Sequence, residues 1–233
     1  MSQSESLNIG GFVFDDMDQA DLTGPFEVLS RVPDSTFHVI ARTRGPIRDV
    51  RGLVLTPTVS FSESPQLDVL LVPGGDGVNP LMEDEEVLNF LRHQAAASKV
   101  ILSVCTGALL CGAAGLLEGK RATTHWASQN LLSLFGALPV DARVVEDGSL
   151  VCAAGVTSGI DAALRVAAIL RGDEVAQRIQ LYMQYAPEPP FNCGSPESAP
   201  ESVVQAARSA LRDVLGPRTE IARRAAAKRR ADL

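Results

Sequence analysis

Short apolar runs alternate with amphipathic stretches along this chain. Leu67–Val72 (LDVLLV) and Lys99–Val104 (KVILSV) are apolar almost without interruption. Runs of that kind suit strands buried on both faces of a parallel sheet, where no polar alternation is required. Leu7–Phe14 (LNIGGFVF) and Phe37–Ala41 (FHVIA) predict two further strands, and Leu53–Phe61 holds short extended pieces around Pro57. Arg143–Val151 (RVVEDGSLV) predicts a hairpin turning at Asp147-Gly148. Helical patterns lie between these runs. Leu22–Val32 carries Pro25 early, where no intrahelical N–H bond is lost. Asp84–Ala97 begins with acidic residues, as the helix dipole favours. Thr106–Leu117, Trp126–Phe135, Ser158–Leu170 and Asp173–Tyr185 complete the set. A proline-rich loop follows Ala186, and Glu201–Leu215 and Thr219–Lys228 predict two closing helices.

Strands alternating with helices imply an α/β fold with a doubly wound, mostly parallel sheet sandwiched by helices. The chain of 233 residues is long enough for one domain with a sizeable core. Residues 1–186 read as the α/β domain, and 187–233 as a loop and helices packed on it.

Composition excludes several function classes. The formal net charge of −7 offers no global attraction to nucleic acid or anionic lipid. No apolar run reaches membrane-spanning length, and the N-terminus shows no secretory pattern, so a cytoplasmic location is expected. Cys105, Cys111, Cys152 and Cys193 read as free thiols of a reducing compartment. His38, His93 and His125 lack ligand spacing, so neither a metal nor a cofactor is expected. The basic cluster Arg223-Arg224 and Lys228-Arg229-Arg230 reads as a solvated helix face.

Candidate chemistry gathers at strand ends. Cys105 directly follows the buried run Lys99–Val104 and precedes Thr106-Gly107. In open α/β sheets ligands bind at the carboxyl ends of strands, so Cys105 belongs at that edge. A helix N-terminus beside it favours a thiolate, the reactive form. The bland alternative is a buried structural cysteine, which is the reading for Cys111 and Cys152. Pro73-Gly74-Gly75-Asp76-Gly77 follows the neighbouring strand, and its amides, Gly75 foremost, could stabilise developing negative charge or simply make a tight turn. Asp21 opens a helix and reads as an N-cap on its own residues. His125, near a helix start, reads on its own residues as a structural histidine.

The motifs Asp21-Leu22-Thr23-Gly24-Pro25, Val72-Pro73-Gly74-Gly75-Asp76-Gly77, Ser103-Val104-Cys105-Thr106-Gly107 and Ala122-Thr123-Thr124-His125-Trp126 together resemble the ThiJ/PfpI superfamily. The resemblance spans about Asn8 to Leu170 and implies a class I glutamine-amidotransferase-like, flavodoxin-like fold. Within it, Asp21, Cys105 and Thr106, with the stretch Gln184–Asn192, resemble the isonitrile hydratase branch. That branch implies a cysteine nucleophile at Cys105, an acidic partner at Asp21, and Thr106 orienting substrate or water. It also implies a small isonitrile substrate, and the superfamily resemblance implies His125 as a pocket residue and a homodimer. Thr106 stands where protease-like members carry histidine, which argues against peptidase activity. Glyoxalase- or deglycase-like members usually carry Glu where this chain has Asp21, and they form one alternative. Sensory domains of AraC-type regulators form another, although residues 187–233 are too few for two helix-turn-helix units. A redox-sensing or chaperone-like protein is a third.

Overall fold

A computed structural model describes residues 6–231. Its central sheet forms from β1 (Leu7–Phe12), β2 (Ser35–Ala41), β5 (Val59–Ser60), β6 (Val69–Val72), β7 (Val100–Val104), β10 (Val144–Asp147) and β11 (Leu150–Ala153). Two-residue strands β3 (Ile47–Arg48) and β4 (Val54–Leu55), and β8 (Arg121–Ala122) and β9 (Leu138–Pro139), make minor ladders. Helices are α1 (Ala20–Leu29), α2 (Val78–Leu81), α3 (Glu85–Ala95), α4 (Gly107–Ala113), α5 (Ser158–Arg171), α6 (Asp173–Tyr182), α7 (Glu201–Ala210) and α8 (Arg212–Ala231).

Sheet order is β10-β11-β7-β6-β1-β2-β5. Every neighbour is parallel except β10, which returns antiparallel to β11 through a turn at Gly148. The apolar runs are central for the reason the pattern suggests: every residue of β6 and β7 is buried. From β1 the chain winds outward to β2 on one side, then crosses to β6 on the other. That reversal creates a switch point between β1 and β6, where a crevice opens at the carboxyl ends. Asp21, the Gly74–Gly77 loop and Cys105 follow β1, β6 and β7 in turn. All three segments therefore emerge at one edge.

Some boundaries differ from the sequence expectation, with local causes. Strand β1 stops at Phe12 instead of Phe14, because the chain turns through Asp16 at φ 59°. Helix α1 begins two residues early, with Asp18 Oδ1 accepting the Ala20 N–H at 3.0 Å. It ends at Leu29, and the next turn tightens so that Arg31 and Val32 N–H reach the Val28 and Leu29 carbonyls. Pro33 disfavours a helical Val32. Trp126–Phe135 forms 3₁₀ turns instead of an α-helix. The closing helices divide at Leu211, and α8 runs through Gly216 and Pro217.

The basic C-terminal cluster is not a free face. Arg224 grips both carboxylate oxygens of Glu83 at 2.9 and 2.8 Å, Lys228 reaches Glu85 at 2.6 Å, and Arg229 reaches Glu118 at 2.7 Å. Ala222, Ala225 and Ala226 are buried beneath the same helix. Small residues let α8 lie close on the body, and the ion pairs fix it there.

Candidate active site

Cys105 sits at the turn from β7 into α4 with φ 56°, a left-handed conformation for a non-glycine residue. An L-residue there costs about 1–2 kcal/mol, so the surroundings must hold it. They do so from both sides. Its N–H donates to the Ala153 carbonyl of β11 at 3.0 Å, and its carbonyl accepts from Thr124 Oγ1 at 2.7 Å. The turn lifts the side chain off the sheet, yet the residue stays 6% exposed.

Close approach of the neighbouring loops requires glycine at two positions. A Cβ on Gly107 would lie 2.1 Å from the Val72 carbonyl oxygen, and one on Gly74 would lie 2.5 Å from the Thr106 nitrogen. The loop after β6 therefore presses directly against the start of α4. The loop after β1 joins it, with Asp18 N–H donating to the Gly74 carbonyl at 2.9 Å and Gly77 N–H to the Asp16 carbonyl at 3.0 Å.

Asp21 is fully buried. It is not an N-cap, since it lies inside α1 and its Oδ2 accepts the Gly74 N–H at 2.9 Å across the site. Its Oδ1 is buried without a well-formed hydrogen-bond partner. Burial foremost, then the Asp18 charge, pushes its carboxyl up to about 7, against the pull of the Gly74 N–H and the Cys105 thiol. Cys105 shifts upward too, because burial and the Asp21 charge both disfavour a thiolate. The Thr106 N–H and Arg218 oppose that rise. The pull of the helix N-terminus toward a thiolate is thus opposed here by desolvation and by the facing carboxylate. The Asp21 carboxyl and the Cys105 thiol thus face each other in a site where burial disfavours the charged form of both.

Thr106 occupies the N-cap position of α4 without capping it. Its Oγ1 instead accepts the Gly75 N–H at 3.0 Å and donates to the Gly75 carbonyl at 3.2 Å. The Gly75 amide expected to meet substrate is therefore already engaged, and the amide directed at the thiol is that of Thr106. His125 makes no hydrogen bond to Cys105; its Nδ1 accepts the Ala127 N–H at 3.3 Å. Burial and then the Arg218 charge lower its pKa against the Asp18 charge. His125 and Trp126 wall a cavity of about 350 Å³ with Gly155, Thr157 and the loop residues Gly194 and Pro196. Cys111 and Cys152 are fully buried, and Cys193 is exposed in the loop.

One residue at the site escapes the sequence reading. Arg218, on α8, is 4% exposed and reaches inward to the loop after β6. Its spacing from Ala222 and Ala225 places it on the buried small-residue face of the helix, which is the one sequence signal for it.

The model of the DJ-1/PfpI family matches residues 9–169, which include Asp21, the glycine loop, Cys105 and Thr106. The chain belongs to the DJ-1/PfpI family. Within reach of that family, it is 52% identical over 223 residues to an isonitrile hydratase of Pseudomonas putida, covering 96% of this chain and 98% of that protein. A crystal structure of a ThiJ/PfpI family protein from Pseudomonas syringae superposes with a TM-score of 0.91 at 37% identity, over 94% of this chain and 91% of that one. Drosophila melanogaster DJ-1beta shares the fold at a TM-score of 0.71 and 23% identity, covering 78% of this chain and 100% of that one. The fold expectation, a mostly parallel sheet flanked by helices in a flavodoxin-like arrangement, holds.

Proposed function

We propose that this protein is an isonitrile hydratase, adding water to R–N≡C to give an N-substituted formamide through Cys105. The observation that carries the reading is the 52% identity along nearly the whole of both chains to an enzyme of that name. The buried Asp21 carboxyl, raised to about 7 beside the Cys105 thiol, supports it chemically.

The terminal carbon of an isonitrile must gain a proton and a nucleophile. In the proposed first step, Sγ of Cys105 bonds to that carbon. The thiol proton passes through Asp21 to the same carbon, giving the thioimidate R–N=CH–S–Cys105. Asp21 then takes a proton from water as the oxygen adds, and that proton ends on nitrogen. Collapse of R–NH–CH(OH)–S–Cys105 breaks the C–S bond, releases R–NH–CHO and returns the proton to the pair. Thr106, through its N–H, stabilises charge at the sulfur and the adduct, while its hydroxyl holds the Gly75 loop in place. The cavity walled by His125 and Trp126 is the proposed room for the R group.

Loss of the isocyanide infrared stretch, with formamide identified by mass spectrometry, measures the reaction. Cys105→Ala is expected to abolish it with an unchanged circular dichroism spectrum. Formamide production by that variant at the wild-type rate refutes the covalent step. No turnover by the wild type across alkyl and aryl isonitriles refutes the substrate.

We further propose a homodimer working in the cytoplasm. Leu181 and Tyr182 of α6 stand 81% and 75% exposed, an apolar surface suited to a second copy. Cysteines without disulfide partners among the described residues suit a reducing compartment. Light scattering at micromolar concentration tests the dimer, and a monomeric mass overturns it.

A further inference from the structure

We infer that Arg218 of the C-terminal helix is a positioning residue for Cys105, locking the Gly75 loop and supplying the positive field that makes the thiol reactive. The inference rests on the reading of Cys105 as nucleophile.

Every polar arm of the guanidinium is engaged at the site. Nη2 donates to the Gly75 carbonyl at 3.3 Å and to Asp76 Oδ1 at 3.1 Å. Nε donates to Asn79 Oδ1 at 2.9 Å, and Nη1 to Ser128 Oγ at 3.3 Å. The Gly75 carbonyl that Arg218 grips also accepts the hydroxyl of Thr106, the residue next to Cys105. A continuous chain of hydrogen bonds thus runs from α8 to the nucleophile's turn.

Anchoring the helix does not account for a buried cation. The pairs of Arg224, Lys228 and Arg229 with surface carboxylates already fix α8. Burying a guanidinium costs several kcal/mol of solvation, and an apolar side chain of similar volume would pack there at least as well. Its carboxylate partner among the described residues, Asp76, is half exposed, so water screens that side of the pair. Arg218 and Cys105 also act on each other electrostatically from within the protein, where a field is screened less than in water. Of the charged groups that act on Cys105, Asp21 and Asp18 at the start of α1 are negative and Arg218 is positive. Burial and Arg218 both disfavour a charged His125, against the pull of Asp18. Arg218 is therefore the group that opposes the two aspartates.

The test follows iodoacetamide modification of Cys105 against pH, by mass spectrometry, in a Cys193→Ser background that removes the exposed thiol. Arg218→Gln is expected to raise the midpoint of the profile by about one pH unit, a tenfold slower reaction at fixed pH. Arg218→Lys keeps the charge and is expected to restore most of the rate. Asp76→Asn, at a half-exposed position, is expected to move the midpoint down. With isonitrile, Arg218→Gln should lower kcat and leave KM nearly unchanged. An unshifted profile in folded Arg218→Gln, a shift that lysine does not reverse, or an upward shift in Asp76→Asn overturns the inference. Failure of wild-type Cys105 to react at any pH overturns the nucleophile reading, and this inference with it.

Discussion

Replacing Asp21 by asparagine should separate stability from activity, because the carboxyl is buried at a cost that grows with pH. Its pKa rises from 3.8 to about 7 in the folded chain, chiefly through burial. Between those values the unfolded chain has released the proton while the folded chain retains it. The folded state binds more protons there, so stability falls as pH rises from about 4 to 7 and is flat above. At about 1.4 kcal/mol per pH unit, the wild type at pH 8 carries a penalty of about 4 kcal/mol relative to acid conditions. Asparagine never ionises and escapes that penalty. Its Oδ1 can still accept the Gly74 N–H seen at 2.9 Å. Its amide N–H groups then face the Cys105 sulfur, a weak acceptor, which costs about 1–3 kcal/mol.

The balance predicts a crossing. Near pH 4.5 the wild type carries only about 1 kcal/mol of that penalty, so Asp21→Asn should be less stable by about 1 kcal/mol, from the imperfect amide contact. At pH 8 it should be more stable by about 2 kcal/mol, or about 4–8 °C in Tm for a chain of this size. Urea unfolding of both proteins at several pH values measures the difference directly. Hydration should fall severely in the variant at every pH. Stability curves that run parallel across pH, with no crossing and no narrowing, would refute the raised carboxyl.

Other substitutions probe the same edge. Asp18→Asn keeps an acceptor for the Ala20 N–H and removes a charge that raises Asp21, so the activity limb near pH 7 should move to lower pH in a rate profile. Thr106→Val leaves the Gly75 N–H without its 3.0 Å acceptor and should cost about 1–3 kcal/mol in denaturant melts while lowering kcat; Thr106→Ser should retain both. Gly107→Ala forces a Cβ to 2.1 Å from the Val72 carbonyl oxygen and should destabilise by about 3 kcal/mol, read as a Tm loss or insolubility.

The features legible in the sequence are those set by local rules. Leu67–Val72 and Lys99–Val104 could hardly be anything but doubly covered strands, and Gly107 after Cys105 signals a close crossing. Position at strand ends then brings Asp21, Gly75, Cys105 and Thr106 to one edge. Their pairings are not local. Nothing in the neighbourhood of Asp21 distinguishes a cap from an acceptor for Gly74, 53 residues away. Likewise, the engagement of the Gly75 amide by Thr106 depends on how closely two loops meet. Trp126–Phe135 has helical periodicity and still tightens into 3₁₀ turns, because packing on α4 and α8 overrides propensity.

Burial at the site changes how the proposed chemistry should be framed. A free, exposed thiolate would be reactive toward many electrophiles, and it would bring no proton to an isonitrile carbon that needs one. Cys105 is nearly enclosed and burial favours its protonated form, so under the proposed mechanism sulfur and proton are available together for addition to one carbon. Raising the thiol pKa too far would leave the sulfur inert. A cation opposing the two aspartates works against that rise, and α8 brings one to the site in Arg218. Two segments distant in sequence therefore act on one sulfur with opposite sign: the start of α1 favours its proton, and α8 favours its charge. Reactivity under the proposed mechanism depends on that balance, so variants at either end should shift the same pH profile in opposite directions.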